Sequence, residues 1–173
     1  MMLVATECLN TPTDDEETTA ALHLLKTISC SSTNQFKESI IGILSRYVQS
    51  KNPYILQLAL EVADNIVVNG TPEQINLLLS FNLLDCIAQG VGNSNQIVRK
   101  NCYHLMRNLV LENPDILTHP ISENLFQGLS DNAFKVKADA VGFFRAAFAK
   151  SKDFCQFSVD KVFLSRIYIL LMQ

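Results

Sequence analysis

Apolar residues return along this chain at helical rather than alternating intervals. In "TTAALHLLKTIS" (18–29), "LQLALEVADNIV" (56–67), "VRKNCYHLMRNLV" (98–110) and "VKADAVGFFRAAF" (136–148) they fall at i, i+3, i+4 and i+7. That spacing gathers them on one face of a helix. No alternating run stands out, and six Gly and five Pro are few for 173 residues, so the pattern predicts an all-α chain. When each segment is anchored on the residue before its final apolar pair, Thr27, Asn65, Asn108 and Ala146 come into register, separated by 38, 43 and 38 residues. A helical period near 40 predicts a superhelix in which each unit buries its face on its neighbours.

The punctuation between the anchors recurs as well. In "NGTPEQINLLLS" (69–80), Gly70 is placed for a left-handed helix end, Thr71 for an N-cap and Pro72 for a first helical turn, with Glu73 and Gln74 behind it. "FNLLDCIAQGVGNSN" (81–95) predicts a second short helix ended by Gly90 and Gly92. "ENPDILTHPISENLFQGLSDNA" (112–133) repeats the plan: a short helix, a proline break, another short helix, then Gly128. Two short helices and one long one per unit favour the armadillo form of helical repeat over the HEAT form. The expected architecture is therefore an all-α, armadillo-like right-handed superhelix of about four irregular three-helix units, near 18–50, 51–92, 93–130 and 131–173. A flexible tail over 1–17 precedes them. The acidic run "DDEE" (14–17) suits the first turn of a helix, where the dipole favours anions; its other reading is an acidic segment meeting a basic partner.

The run from Thr71 to Val110 resembles a repeat of the armadillo arrays of importin-α, the adaptors for nuclear localisation signals. The matching features are Glu73 and Gln74 at the opening, the apolar "LLDCIAQGV", and the closing "RNLV". "LALEVADNIV" likewise resembles the third helix of a neighbouring importin-α repeat, with Asn65 at its Asn position. The resemblance runs over about 53–112, is weaker over 113–150 and is faint before 50. It implies a concave groove in which the third-helix Asn grips the backbone of an extended peptide, and a Trp four residues earlier walls the slots for Lys and Arg stems. This chain has no Trp. His23, Glu61, His104 and Gly142 stand at the Trp positions, and Thr27, Asn65, Asn108 and Ala146 at the Asn positions.

The candidate peptide-binding residues are therefore Asn65 and Asn108 as backbone clamps, Glu61 as an attractor of basic side chains, and His104 as a weak stacking surface. Each also has a structural reading: the two Asn fix the superhelical turn by bonding to a neighbouring helix, Glu61 is a solvated charge, and His104 is a partly buried structural residue. Arg99 and Lys100 are expected to face solvent, and Tyr103 and Phe143 to pack. The resemblance implies an adaptor for Lys/Arg-rich peptides in import to the nucleus. The alternative is an interaction scaffold with a degenerate groove. The basic, importin-β-binding N-terminal segment of the family is not present in the sequence, so coupling to that carrier in the usual way is not expected.

Composition narrows the remaining classes. Hydrophobic residues at 48% and charged residues at 18% describe a folded chain, and a net charge of −3 gives no broad electrostatic footprint for nucleic acid or anionic lipid. No window of about 18 uncharged apolar residues occurs, so no membrane partner is expected. Cys8, Cys30, Cys86, Cys102 and Cys155 form no CxxC pair and are odd in number, which argues against a zinc site or disulfide framework. Most are expected to be small core residues in a reducing compartment, cytoplasm or nucleus. No phosphate-binding loop, HExxH or GxSxG motif is present, so neither enzymatic activity nor a cofactor is expected. The closing "VDKVFLSRIYILLMQ" (159–173) reads as part of a further unit that leaves Val162, Phe163, Ile167, Ile169 and Leu170 partly uncovered. It is expected to fold back as a cap, to meet a partner or second copy, or to mark a fragment of a longer array.

Overall fold

The structure, a computed structural model, describes residues 1–31, 36–118 and 120–160. Among them the elements are α1 (Met2–Asn10), α2 (Asp15–Ser31), α3 (Glu38–Tyr47), α4 (Pro53–Asn69), α5 (Pro72–Ser80), α6 (Leu83–Gly90), α7 (Gln96–Glu112), α8 (Phe134–Lys150) and α9 (Lys152–Asp160), with no strand. Two 3-10 segments, Pro114–Thr118 and Pro120–Ser130, join α7 to α8. The full short–short–long trio is α5–α6–α7. The next unit replaces its short α-helices with the two 3-10 segments, each opening on a proline that donates no backbone hydrogen bond.

Helix starts follow the residues that can cap them. The Asn52 side chain accepts from the Tyr54 N–H at 3.0 Å at the head of α4, and Asn95 accepts from the Ile97 N–H at 2.8 Å at the head of α7. Thr71 and Gln74 form a reciprocal capping box with Pro72 in the first turn of α5. Asp14 caps α2 by accepting from the Glu17 N–H at 2.8 Å, and Asp15, Glu16 and Glu17 fill the first turn. Gly70 departs from expectation. It is extended (φ −86°, ψ −177°) rather than left-handed. Glycine is needed there because a Cβ would strike the Ile66 carbonyl oxygen. The left-handed step falls instead on Asn82 (φ 58°), between α5 and α6, where the short polar side chain tolerates it.

The four long helices α2, α4, α7 and α8 are each 17 residues and stack side by side in chain order. Counted from the first residue of each, His23, Glu61, His104 and Gly142 all occupy position 9, and Thr27, Asn65, Asn108 and Ala146 all occupy position 13. The apolar stripes are buried between the long helices and the short elements behind them. Tyr103 and Phe143 are fully buried, as expected, and the Tyr103 hydroxyl donates to the Leu125 carbonyl at 3.0 Å. Gly128 is bare because a Cβ there would run into the Tyr103 ring. A phenylalanine cluster closes the last unit, with Phe144 stacked on Phe126 at 4.8 Å and edge-on to Phe143 at 4.9 Å.

Two expectations are corrected, for the 1–17 stretch and for Arg99. The stretch 1–17 is not simply a tail: Met2–Asn10 is helical with Ala5 and Leu9 buried, and the Tyr47 hydroxyl donates to the Leu9 carbonyl at 2.6 Å. Most of the cysteines are core residues, as expected: Cys102 is fully buried, with its thiol pushed up to about 12 by burial, and Cys8 and Cys86 pack against the core, while Cys30 and Cys155 are exposed. Arg99 is not a solvent-facing residue. Its guanidinium donates to both Asp131 carboxylate oxygens at 2.6 and 2.9 Å and to the Asn93 and Ser94 carbonyls at 2.8 and 3.0 Å. This ties the head of α7 to the turn before α8. The expectations for Val162, Phe163, Ile167, Ile169 and Leu170 lie outside the described residues.

Because the Arg99 and Asp131 side chains are only 17% and 10% exposed, Arg99→Ala leaves a shielded carboxylate without its partner. The expected loss is about 2 kcal/mol in urea unfolding at neutral pH. The Arg99 hydrogen bond also holds the Asp131 carboxyl below its ordinary value. The contribution is thus present above the ordinary aspartate range and is lost as pH falls through the depressed value, so the mutant and the parent should converge in acid.

Candidate functional site

The long helices turn positions 2, 5, 9, 12, 13 and 16 toward one common furrow, because these positions lie on one side of a 3.6-residue helix. Along α4 this face carries Tyr54, Gln57, Glu61, Asp64, Asn65 and Val68, all exposed or half-buried, between buried apolar neighbours. Along α7 it carries Ile97, Lys100, His104, Arg107, Asn108 and Leu111, again all partly or fully exposed. A cavity of about 240 Å³ opens between α2, α4 and α7, lined by Lys26, Glu61, Asp64, Asn65, Lys100, Asn101 and His104, with Leu60 at its floor. The structure therefore brings Asn65, Glu61 and His104 to one cavity, and places Asn108 on the same face one turn beyond His104.

The side chains in the furrow bond across the helix seams in a repeating pattern. Position 12 reaches forward from α2 to position 9 of α4, and from α4 to positions 9 and 13 of α7. The Lys26 ammonium on α2 lies 2.6 Å from the Glu61 carboxylate on α4. Asp64 on α4 accepts from the Asn108 amide on α7 at 2.8 Å and faces His104 Nε2 at 3.5 Å. Arg107 on α7 meets bare backbone at Gly142 on α8, since a Cβ there would touch its side chain only at ordinary contact distance, 3.5 Å. Lacking an acceptor at position 9 or 13 of α8, its guanidinium turns back to within 3.4 Å of His104 Nδ1. His104 Nδ1 also lies 3.3 Å from Asp139 on α8, so this imidazole stands between carboxylates from the helices on both sides.

Each predicted residue can now be assigned its contacts. The Asn65 amide N–H₂ donates back to α2, to Ser29 Oγ at 2.9 Å, the Lys26 carbonyl at 3.4 Å and Cys30 Sγ at 3.2 Å. The Asn108 amide N–H₂ donates to Asp64. Since a carbonyl and a carboxylate only accept, both amides are fixed with nitrogen toward the preceding helix. Among the described residues nothing donates to either Oδ1. The two-way backbone grip expected of these residues is thus reduced: their free oxygens offer acceptors to a ligand's N–H groups, and much of the donor capacity is spent within the fold. Glu61 is not a solvated charge. Besides Lys26 it accepts from Gln57 at 3.1 Å and Asn101 at 3.2 Å. Burial alone would raise its carboxyl, but these hydrogen bonds outweigh burial and hold it below its ordinary value. The Asp64 carboxyl shifts the other way, raised by burial against the pull of Asn108, His104 and Arg107, with Asp139 adding repulsion.

Sequence reading missed five participants: Lys26, Asp64, Asn101, Asp139 and Tyr54. Lys26 and Asp64 stand one residue before the anchors Thr27 and Asn65, a signal visible in the register. Asn101, 7% exposed, and Asp139 share position 6 on the flank facing the preceding helix, and only the packing reveals them. Tyr54 supplies an aromatic surface in the absence of Trp: its hydroxyl is 3.0 Å from His23 Nε2, with ring centroids 6.2 Å apart. Among the described residues no group of three or more His, Cys, Asp and Glu is placed to hold a metal ion, and no helix is long and apolar enough to cross a membrane.

No family model and no curated protein matches the chain. Solved structures do match it. A designed armadillo repeat protein, YIII(Dq)4CqI, superposes with a TM-score of 0.84 at 22% identity, covering 99% of this chain and 74% of the other. Computationally designed armadillo repeat proteins for modular peptide recognition give 0.83 at 21% identity, over 100% and 75% of the two chains. The designed protein YIII(Dq.V1)4CPAF, in complex with the peptide (KR)4, gives 0.81 at 16% identity, over 96% and 72%. The fold is an armadillo-like all-α solenoid. At these identities the likeness is one of architecture, and it agrees with the helix order and stacking described above.

Two outcomes test this description of the furrow. Gly142→Ala should raise stability by about 1 kcal/mol, seen as a Tm increase of a few degrees, because the position is helical, has ordinary room for a methyl and is relieved of glycine's backbone entropy. Thermal melts across pH should show the Glu61 contribution present above the ordinary glutamate range and lost as pH falls through its depressed value. Lys26→Ala removes one of the hydrogen bonds that depress it, so the acid-side loss should move to higher pH.

Proposed function

We propose that this chain is a non-enzymatic protein-interaction scaffold, working in the cytoplasm or nucleus, whose furrow receives an extended segment of a partner protein across α2, α4, α7 and α8. The observation that carries this reading is the alignment of Asn65 and Asn108 at one position of adjacent helices, each with its nitrogen committed to the preceding helix and its oxygen unengaged. Acceptors at the same position of two neighbouring helices suit the N–H groups of an extended backbone, whose own hydrogen bonds are unmade. The chemistry required is binding alone, with no cofactor.

A second reading is an importin-α-like adaptor for Lys/Arg-rich nuclear localisation signals, acting in nuclear import. It is favoured by the carboxylates Glu61 and Asp64 in the furrow and Asp139 on its flank. In this reading a basic peptide competes with Lys26 for Glu61 and with His104 for the other two.

Peptides selected from a random display library against the whole chain distinguish furrow binding from binding elsewhere. Their affinity should fall at least about tenfold for Asn65→Ala/Asn108→Ala, with the fold checked by circular dichroism. Selected peptides that bind the double variant as tightly as the parent would overturn the scaffold reading. Titration of (KR)4 at low and moderate salt addresses the adaptor. It predicts measurable binding that weakens steeply with salt, and no binding to an intact fold removes it.

A further inference from the structure

The charges of the furrow are divided along its length, and the division bears on what kind of segment it takes, an inference that rests on the scaffold reading above. At positions 2, 5, 9, 12, 13 and 16, α4 carries two carboxylates, Glu61 and Asp64, and no cation. The same positions carry two cations and no carboxylate on α7, Lys100 and Arg107, and again on α8, Lys135 and Arg145. On α2 they hold one charge of each sign, Glu16 and Lys26.

The two halves also differ in how their charges are answered. Glu61 pairs with Lys26 and accepts from Gln57 and Asn101, while Asp64 accepts from Asn108 and faces His104. A basic segment would have to displace these contacts. The side chains of Lys100, Lys135 and Arg145 meet no ion-pair or hydrogen-bond partner among the described residues. Arg107 forms no ion pair there either; its one polar contact is His104 Nδ1 at 3.4 Å. Asp139, on the flank of α8, faces His104 instead.

The unanswered cations converge on one part of the furrow. Lys100 is half-buried in the wall of the cavity. The Arg107 side chain lies along α8 at Gly142, where a Cβ would stand 3.5 Å from its Cδ and 3.6 Å from its Nη1. Gly142 and Arg145 are three residues apart and share a face, so the two guanidinium groups border the same stretch. Between Lys135 and Arg145 the furrow face of α8 holds only Ala138 and Gly142, which leaves open space beside the cations. Half-buried cations have given up part of their hydration, so a ligand that brings a counter-charge gains most at Lys100 and Arg107. The chain as a whole is net −3 and exerts no general attraction on acidic molecules, so the attraction has to come from this patch. No Phe, Tyr or Trp stands at the furrow positions of α7 and α8 to stack a base, which favours the carboxylates of a protein over the phosphates of a nucleic acid.

We infer that the α7–α8 half of the furrow receives an acidic stretch of a partner protein, its Asp or Glu carboxylates paired with Lys100, Arg107, Lys135 and Arg145 and a backbone N–H donating to the Asn108 oxygen.

The test uses the whole chain and fluorescence anisotropy with four labelled probes of equal length. They are a peptide alternating Glu and Ser, its counterpart with Gln in place of Glu, (KR)4, and an oligodeoxythymidylate. The Glu peptide should bind at least about tenfold more tightly than each of the others, and should weaken several-fold between about 50 and 300 mM salt. Lys135→Glu and Arg145→Glu should each weaken it at least about fivefold, while melting curves stay close to the parent because both side chains are exposed. Lys37→Glu makes the same change of charge outside the furrow, at the head of α3, and should leave the affinity within about twofold of the parent. Equal or tighter binding of any other probe, unchanged affinity in both furrow variants, or an equal loss in Lys37→Glu overturns this inference and leaves the scaffold reading in place. Absence of binding by the Glu peptide overturns it as well, and the scaffold reading then stands or falls on the display selection and the Asn65→Ala/Asn108→Ala comparison.

Discussion

The structure depends on the axial register of four stacked helices. Apolar stripes such as Ile55, Leu58, Ala59, Val62 and Ile66 on α4 bring the helices together, but burial is non-directional and tolerates sliding along the seam. Register is set by the polar side chains beside the stripe. Lys26 meets Glu61, Asp64 meets Asn108 and His104, and Asn65 reaches back to Ser29 only when position 12 of one helix stands opposite positions 9 and 13 of the next. A slip of one turn, about 5.4 Å, would break all of these together. Among the described residues no buried side-chain nitrogen or oxygen is left without a partner, consistent with one register being satisfied throughout.

This constraint bears directly on binding. The residues that line the furrow are those that hold it together, so they meet a ligand with only part of their hydrogen-bonding capacity. Glu61 shows the consequence most clearly: it is a carboxylate facing a groove, and its charge is already answered by an ammonium from the preceding long helix at 2.6 Å. Asparagine suits the double task because its two ends differ. One end donates to the neighbouring helix while the other is left unengaged.

The pattern weakens toward α8. Positions 9 and 13 there are Gly142 and Ala146, and Arg107 lies across a bare helix surface instead of meeting a carboxylate. The same helix gains from its other side, where Phe126, Phe143, Phe144 and Phe154 pack as a cluster. Dispersion and apolar burial thus add to the remaining polar contacts, His104 with Asp139 and Arg99 with Asp131, at this end of the stack.

By itself the sequence determined the four long helices and their period. The i, i+3, i+4, i+7 stripes, the Thr71 cap and the recurrence of Thr27, Asn65, Asn108 and Ala146 are local or periodic properties, and they place the long helices and their stacking order. It also marked Tyr103 as packing, since its position on the stripe decides its burial. Only the tertiary structure decided what the polar face does. Whether Glu61 is solvated or paired depends on Lys26, 35 residues away in sequence, and Arg99 becomes a clamp only because the turn at Asp131 folds back to it. Helix periodicity specifies which side of a helix a residue occupies. The partner waiting there is set by long-range packing, and no local pattern encodes it.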